Sequence, residues 1–172
     1  MMALLIVIVT VAVMEAVAYA VHRWIMHGPL GWGWHKSHHE ETHGPFEKND
    51  LYAVVFAVIS ILLFAIGSAW WPWLWWVAVG ATVYGVIYFI VHDGLVHQRW
   101  PFRYVPRRGY FRRLYQAHRL HHAVEGRDDC VSFGFVYAPP VEDLKARLKA
   151  SGVLAQRQSQ HPDAWRADRA ED

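Results

Sequence analysis

Apolar positions in this chain gather into runs too long for a globular core. From Leu51 to Val91 there is no Asp, Glu, Lys, Arg or His, and about 20 apolar residues suffice to cross a bilayer as a helix. That stretch predicts two passes. Their turn falls at Ser68 to Trp73, where Trp70, Trp71, Pro72 and Trp73 join a helix breaker to the aromatics of a membrane interface. An earlier run, Met2 to Val21, is broken only by Thr10 and Glu15 and predicts a third span. Ala18-Tyr19-Ala20 has the form of a leader cleavage site. No basic residue precedes the run, however, and the run is long for a leader, so it is expected to remain as a span.

The polar stretches carry weaker patterns. Gly109 to Ala123 mixes Arg112, Arg113 and Arg119 with Phe111, Leu114 and Tyr115, as expected of an amphipathic helix lying on a membrane surface. The string VEDLKARLKA from Val141 has helical charge spacing, and the tail from about Gln156 is polar enough to be expected disordered. Val131 to Pro139 is apolar but too short to span alone; as a re-entrant segment it would make a fourth membrane element. A length of 172 residues is enough for one domain. The expected organisation is a membrane-embedded unit over 1–140 and a polar tail over 141–172. The fold class is an all-α integral membrane protein with three spans, or four if the short segment enters.

Charge fixes the orientation. All 17 Lys and Arg residues lie in the segments between or after the spans on one side, or in the tail, and the hairpin turn has none. The positive-inside rule makes that side cytoplasmic, with the N-terminus opposite. The single cysteine, Cys130, excludes an internal disulfide and a cysteine-based zinc or iron–sulfur site.

Ten of the 12 histidines fall into four clusters: His22 and His27; His35, His38 and His39; His92 and His97; His118, His121 and His122. Three spans and a hairpin bring all four to the cytoplasmic face. Neutral imidazole is the commonest metal ligand, and ten are too many for one ion, so the pattern predicts a dimetal cap. Within a triplet, residues three or four apart share a helix face. Adjacent members such as His38 and His39 point about 100° apart and can serve different ions. The doublets are harder to read. A spacing of five gives about 140° of rotation in a regular helix, so either a kink near Gly28, Pro29 or Gly94 brings each pair onto one ion, or the two members serve different ions. His43 continues the stripe of His35 and His39 but is read as second-layer or solvated, and His161 lies in the polar tail. Asp93 could hold the far ring nitrogen of His92, whereas Glu40 and Glu41 read as solvated surface. Glu15, ionisable within a span, demands a function or a polar partner such as a hydroxyl.

These motifs resemble the membrane-bound fatty acid hydroxylase superfamily of histidine-rich diiron oxygenases. The strings GWGWHKSHHE, FEKNDLYAVVFA, YFIVHDGLVHQRWPFRY and AHRLHHAVEG…CVSFGFVYAPP are similar to its bacterial carotenoid-ring hydroxylases, over about Met14 to Pro140. The resemblance implies hydroxylation of the 3 and 3′ ring carbons of β-carotene, giving β-cryptoxanthin and then zeaxanthin. It also implies O2 as cosubstrate, two iron ions held by the ten clustered histidines, and electrons from a ferredoxin-type donor. Zinc can replace iron in such imidazole sites. None of the histidines need act as a general base. His43 is outside the family pattern.

The chain has no GxGxxG or GxxxxGK pattern and no cysteine pair, so electrons must come from a partner. The arginines from Arg99 to Arg119 suit either an acidic electron donor or anionic lipid. Competing readings are an oxygenase of the same type acting on a sterol, a fatty acid or the ring 4-carbon, a metal transporter, and a bis-histidine haem protein. A transporter would place ligands inside its spans near the midplane, and haem would leave most of these histidines idle. Basic residues tied to membrane segments argue against nucleic acid as a partner.

Overall fold

The computed structural model describes residues 1–40, 46–124, 126–153 and 155. His43, Glu41, His161 and the polar tail lie outside them. Among the described residues all regular structure is helical. Helix α1 (Met2–Ala20) runs on as a π-helical turn (Val21–Met26), and α2 (Trp32–His39) follows after a short bend. Helices α3 (Asp50–Ala69) and α4 (Pro72–Tyr88) form the expected hairpin, and α4 also runs on as a π-helical segment (Phe89–Val96). The surface helix α5 (Gly109–His121) and the short α6 (Val141–Ser151) complete the order.

Among the described residues three continuous helices are long and apolar enough to cross a membrane: Met2–Met26, Asp50–Ala69 and Pro72–Val96, with mean hydropathies of 2.5, 2.5 and 1.9. Only 6%, 6% and 22% of their most apolar windows are buried within the protein. So much bare apolar surface is stable only against lipid. The α3–α4 turn is tight: the amides of Trp70 and Trp71 both reach the Ile66 carbonyl, and Pro72 opens α4, where its missing N–H costs nothing. Helix α1 packs against α4 at Gly80, where a Cβ would stand 2.6 Å from that of Thr10. Only glycine permits that approach.

Below the spans, a conventional core takes over. Helix α5 turns Leu114, Ala117, His118 and His121 inward at i, i+3, i+4 and i+7, with arginines on its outer side. Leu144 and Leu148 of α6 are wholly buried against it, together with Val124, Cys130, Val131 and Phe133. The apolar string 131–139 forms no helix. It is an irregular strap, buried from Val131 to Phe135, running beneath the spans. Its apolar composition reflects contact with this core.

Candidate metal centre

Both histidine doublets sit in π-helical turns, and that settles the spacing problem. In each, a backbone hydrogen bond joins residues five apart: the His27 amide donates to the His22 carbonyl (3.0 Å), and the His97 amide to the His92 carbonyl (2.9 Å). An i→i+5 bond sets the fifth residue nearly above the first, so each pair points the same way. Such turns are rare and cluster at functional sites. The local irregularity expected near Gly94 is this π segment.

Four ring nitrogens from His22, His27, His35 and His121 lie within 4.8 Å of one another, and so do those from His38, His97, His118 and His122. In the first cage, Nε2 of His22 is 3.1 Å from that of His35, His35 is 3.1 Å from His27, and His27 is 3.1 Å from His121. In the second, His118 Nε2 lies 2.8 Å from His97 and 2.9 Å from His122, and His92 Nε2 joins at 3.1 Å from His38. The His39 ring lies between the cages, 5.0 Å from those of His35 and His121 and 4.5 Å from that of His122, with a ring nitrogen within 4.8 Å of one of His121. Each helical triplet is thus split, with His38 and His39 facing apart, as are His121 and His122. Both doublets stay whole.

The rings are aimed as ligands. Nδ1 of His22, His27, His39 and His121 faces the carbonyl oxygens of Phe133 (2.9 Å), Arg127 (2.9 Å), Val124 (3.1 Å) and Val131 (2.8 Å). Nδ1 of His35 faces Asn49 Oδ1 (2.7 Å), that of His38 faces Glu47 Oε1 (2.7 Å), and that of His92 faces Asp93 Oδ1 (2.8 Å). A ring that donates through Nδ1 turns a bare Nε2 lone pair inward. Lone pairs facing each other near 3 Å repel unless a cation lies between them. Bonds of about 2.1 Å at right angles would set neighbouring ligand nitrogens about 3 Å apart. Nε2 of His39 is buried with no partner of its own, an orphan that an ion would satisfy. The residues present therefore fit metal ions.

Electrostatics agree. Burial strips water from the rings and disfavours their charged form. It lowers His35 and His97 to about 3 and His39 to about 4, and holds His38, His118, His121 and His122 well below the ordinary range, with the neighbouring imidazoles adding to the effect. Neutral rings are the ligating form. The Cys130 thiol lies near His39 and His121, but burial pushes it up to about 12 and it donates to the Gly126 carbonyl. It keeps its proton and is a poor ligand.

Sequence reading missed Glu47 and Asn49. Both flank the start of α3, and polar side chains at the foot of a span next to a histidine cluster were the available signal. Glu40 is exposed and pairs with Lys36. Asp93 holds His92 and faces Arg99. Glu15 has more partners than a single hydroxyl. Tyr84 donates to its Oε2 (2.6 Å), and the amides of Phe135, Val136 and Tyr137 donate to its Oε1 (3.0, 3.1 and 2.8 Å).

Two cavities approach the cages. One of about 590 Å³ lies among α1, α3 and α4. Its walls include Phe56, Ser60, Phe64 and Gly85, and its inner end includes Tyr88, Asp93 and Phe135. Tyr88 stacks on His92 (4.5 Å between ring centres, 19°) and Phe135 on His22 (5.1 Å, 11°). The other, of about 610 Å³, is polar and reaches His38 and His97 past Glu47, Arg99 and Arg103.

A three-span helical protein with paired all-histidine cages beneath an apolar cavity defines a class: an integral membrane protein built to hold metal beside a lipid-like molecule. The chain belongs to the fatty acid hydroxylase family, whose description matches residues 7–139. It is 77% identical over 150 residues to the "Beta-carotene hydroxylase" of Paracoccus sp. (strain PC1), covering 87% of this chain and 93% of that one. It is 64% identical over 146 residues to the protein of the same name from Pantoea ananas (84% and 82%). To the "Beta-carotene 3-hydroxylase, chloroplastic" of Haematococcus lacustris it is 44% identical over 116 residues (64% and 36%). No solved structure matches the chain at a significant level.

Proposed function

We propose that this protein is a β-carotene 3-hydroxylase. It converts β-carotene through β-cryptoxanthin to zeaxanthin with O2, two iron ions and electrons from a ferredoxin-type donor. The observation that carries this reading is the pair of histidine cages at the inner end of a membrane-level apolar cavity. His22, His27, His35, His39 and His121 hold one ion, and His38, His92, His97, His118 and His122 the other. Imidazole ligation suits iron, and it also suits zinc, which can replace iron in the purified protein. Bound iron supplies activation of O2, one atom of which enters a ring C–H bond while the other leaves as water with two electrons and two protons.

The chain's own residues do the rest. The cavity walls take an apolar polyene sideways from the bilayer and exclude water from its ring. Carbonyls, Asn49, Glu47 and Asp93 fix the tautomer and aim of the ligand rings. Donor access falls on the polar side, where the family of arginines around α5 faces the cytoplasm. Arg113 there lies over the Tyr110 ring. Charge complementarity with an acidic donor speeds encounter and weakens with salt. Arg112→Ala with Arg113→Ala should therefore slow donor-dependent turnover most at low salt, and equal rates at every ionic strength would assign these arginines to lipid headgroups.

The test of function is expression in a β-carotene-accumulating bacterium with pigment analysis. The wild type should yield zeaxanthin. His118→Ala should leave β-carotene unmodified, and zeaxanthin at the wild-type level from that variant would contradict the ligand assignment. A product oxygenated only at the ring 4-carbon, or none, would move the activity to another lipid.

A further inference from the structure

Glu15 belongs to no cage, yet four donors from two parts of the chain converge on its carboxylate. Three are consecutive amides of the strap, Phe135 to Tyr137, and the fourth is the Tyr84 hydroxyl of α4. A carboxylate inside a span is expensive without such partners, and four charge-assisted bonds are the kind that fix geometry. The approach is close enough that a Cβ on Gly134 would stand 2.8 Å from Glu15 Oε1. Tyr110 of α5 donates to the Val136 carbonyl from the other side.

What the clamp holds is informative. Two residues before the clamped amides, the Phe133 carbonyl accepts from His22, and the Val131 carbonyl accepts from His121. Ser132, between them, takes a left-handed φ of 60°, a conformation that is costly outside glycine and persists only where its surroundings enforce it. Phe135 itself stacks flat on His22 of the first cage and meets His92 of the second edge-on at 5.1 Å and 83°. It also meets Tyr88 at 4.8 Å and lines the inner end of the apolar cavity. One aromatic ring thus stands between both cages and the space above them.

We infer that Glu15 is a positioning residue that clamps the strap so that Phe135 forms the stop against which the substrate ring rests, setting which ring carbon meets the metal centre. Glu15 touches neither metal nor substrate; it acts through the backbone of 133–137. The inference rests on the substrate reading above and deepens it. The ring methylene at carbon 4 is allylic and its C–H bond weaker than that at carbon 3, so selectivity for carbon 3 must come from placement, and a displacement of about 1 Å is enough to spoil it.

Three variants, Phe135→Leu, Glu15→Ala and Glu15→Gln, are expressed in a β-carotene-accumulating bacterium. Hydroxyl positions are determined in the carotenoids and iron is measured in the purified proteins. Phe135→Leu should keep its iron but move about a tenth or more of the hydroxylation to neighbouring ring carbons, since smaller side chains loosen a stop. Glu15→Ala should do the same and lose iron from the first cage, because the Phe133 carbonyl no longer aims His22. Glu15→Gln, whose amide oxygen can still accept from the three strap amides, should restore both iron and 3-selectivity. Products oxygenated only at carbon 3 from Phe135→Leu, or wild-type iron in Glu15→Ala, would overturn the inference. Should Glu15→Ala fail to accumulate, Phe135→Leu decides alone. A wild type that leaves β-carotene untouched sinks the substrate reading instead, and the iron ratio of Glu15→Ala to wild type then still reads the clamp.

Discussion

The two cages each draw four imidazole nitrogens together and differ in what stands behind them. Behind the first, the acceptors are the carbonyls of Val124, Arg127, Val131 and Phe133 and the amide of Asn49. Behind the second they are the carboxylates Glu47 and Asp93, tied to Arg99, which also grips Asp50 through two contacts of 2.8 Å. A carbonyl orients a ring; a carboxylate orients it and makes it a stronger donor to the metal. The first cage is thus held by the path of the main chain from 124 to 133, and the second by side chains. The lesson is that matching imidazole sets need not make matching sites: the second cage has carboxylates behind two of its rings and lies next to the polar cavity.

The largest effects should come from the adjacent pair that α5 divides between the cages. On the proposed assignment His121→Ala removes a ligand of the first and His122→Ala one of the second. Each should lower hydroxylation more than about 100-fold, since loss of a ligand exceeds the 10–100-fold typical of losing its outer partner. Metal analysis is the sharper reading. Each variant should lose one ion and retain the other, and loss of both from either variant would mean that the cages form one cooperative unit.

Outer partners come next. Glu47→Ala should weaken metal retention in the second cage by about 10–100-fold, because it leaves His38 Nδ1 without an acceptor and removes a charge. Asn49→Ala deprives His35 of a neutral acceptor only, and should cost the first cage less. Chelator titration with metal analysis checks the order. Equal losses from the two variants would break the distinction between charged and neutral support.

These residues also mark where sequence reading stopped. The spans were legible because lipid demands runs with no polar interruption, and Leu51 to Val91 has none. The split of His38 from His39, and of His121 from His122, was legible from helical rotation alone. The doublets were not, because rotation per residue assumes a regular helix, and only the i→i+5 bonds at His22 and His92 reveal the π turns. The first cage's supports were illegible for a deeper reason: a carbonyl acceptor is a property of chain path, and any residue type at 124, 127, 131 or 133 supplies one. Asp93, beside His92, was anticipated as its partner. Glu47, nine residues beyond His38 and outside its helix, meets it only in the folded chain. Glu15 was recognised as needing a polar partner, but three amides from residues 120 or more positions away leave no trace in its neighbourhood.

Arg99 gives the smallest and most discriminating effect. Its side chain is 27% exposed while the Glu47 and Asp93 carboxylates it faces are 6% and 16% exposed. Burial pushes the Glu47 carboxyl up to about 7, and Arg99 opposes that shift. Arg99→Gln removes the opposition, so Glu47 becomes easier to protonate and a weaker support for His38. A partly exposed ion pair contributes about 1 kcal/mol or less, and the expected loss of metal retention is accordingly a few-fold. It should be confined to the second cage and shrink as salt is raised. The same substitution should leave first-cage retention unchanged, because among the described residues the Nδ1 partners of those rings are carbonyls and an amide, none of them facing Arg99. An equal loss from both cages would show that the acidic group sets the field of the whole centre, and the contrast between carbonyl-backed and carboxylate-backed metal would then be one of geometry alone.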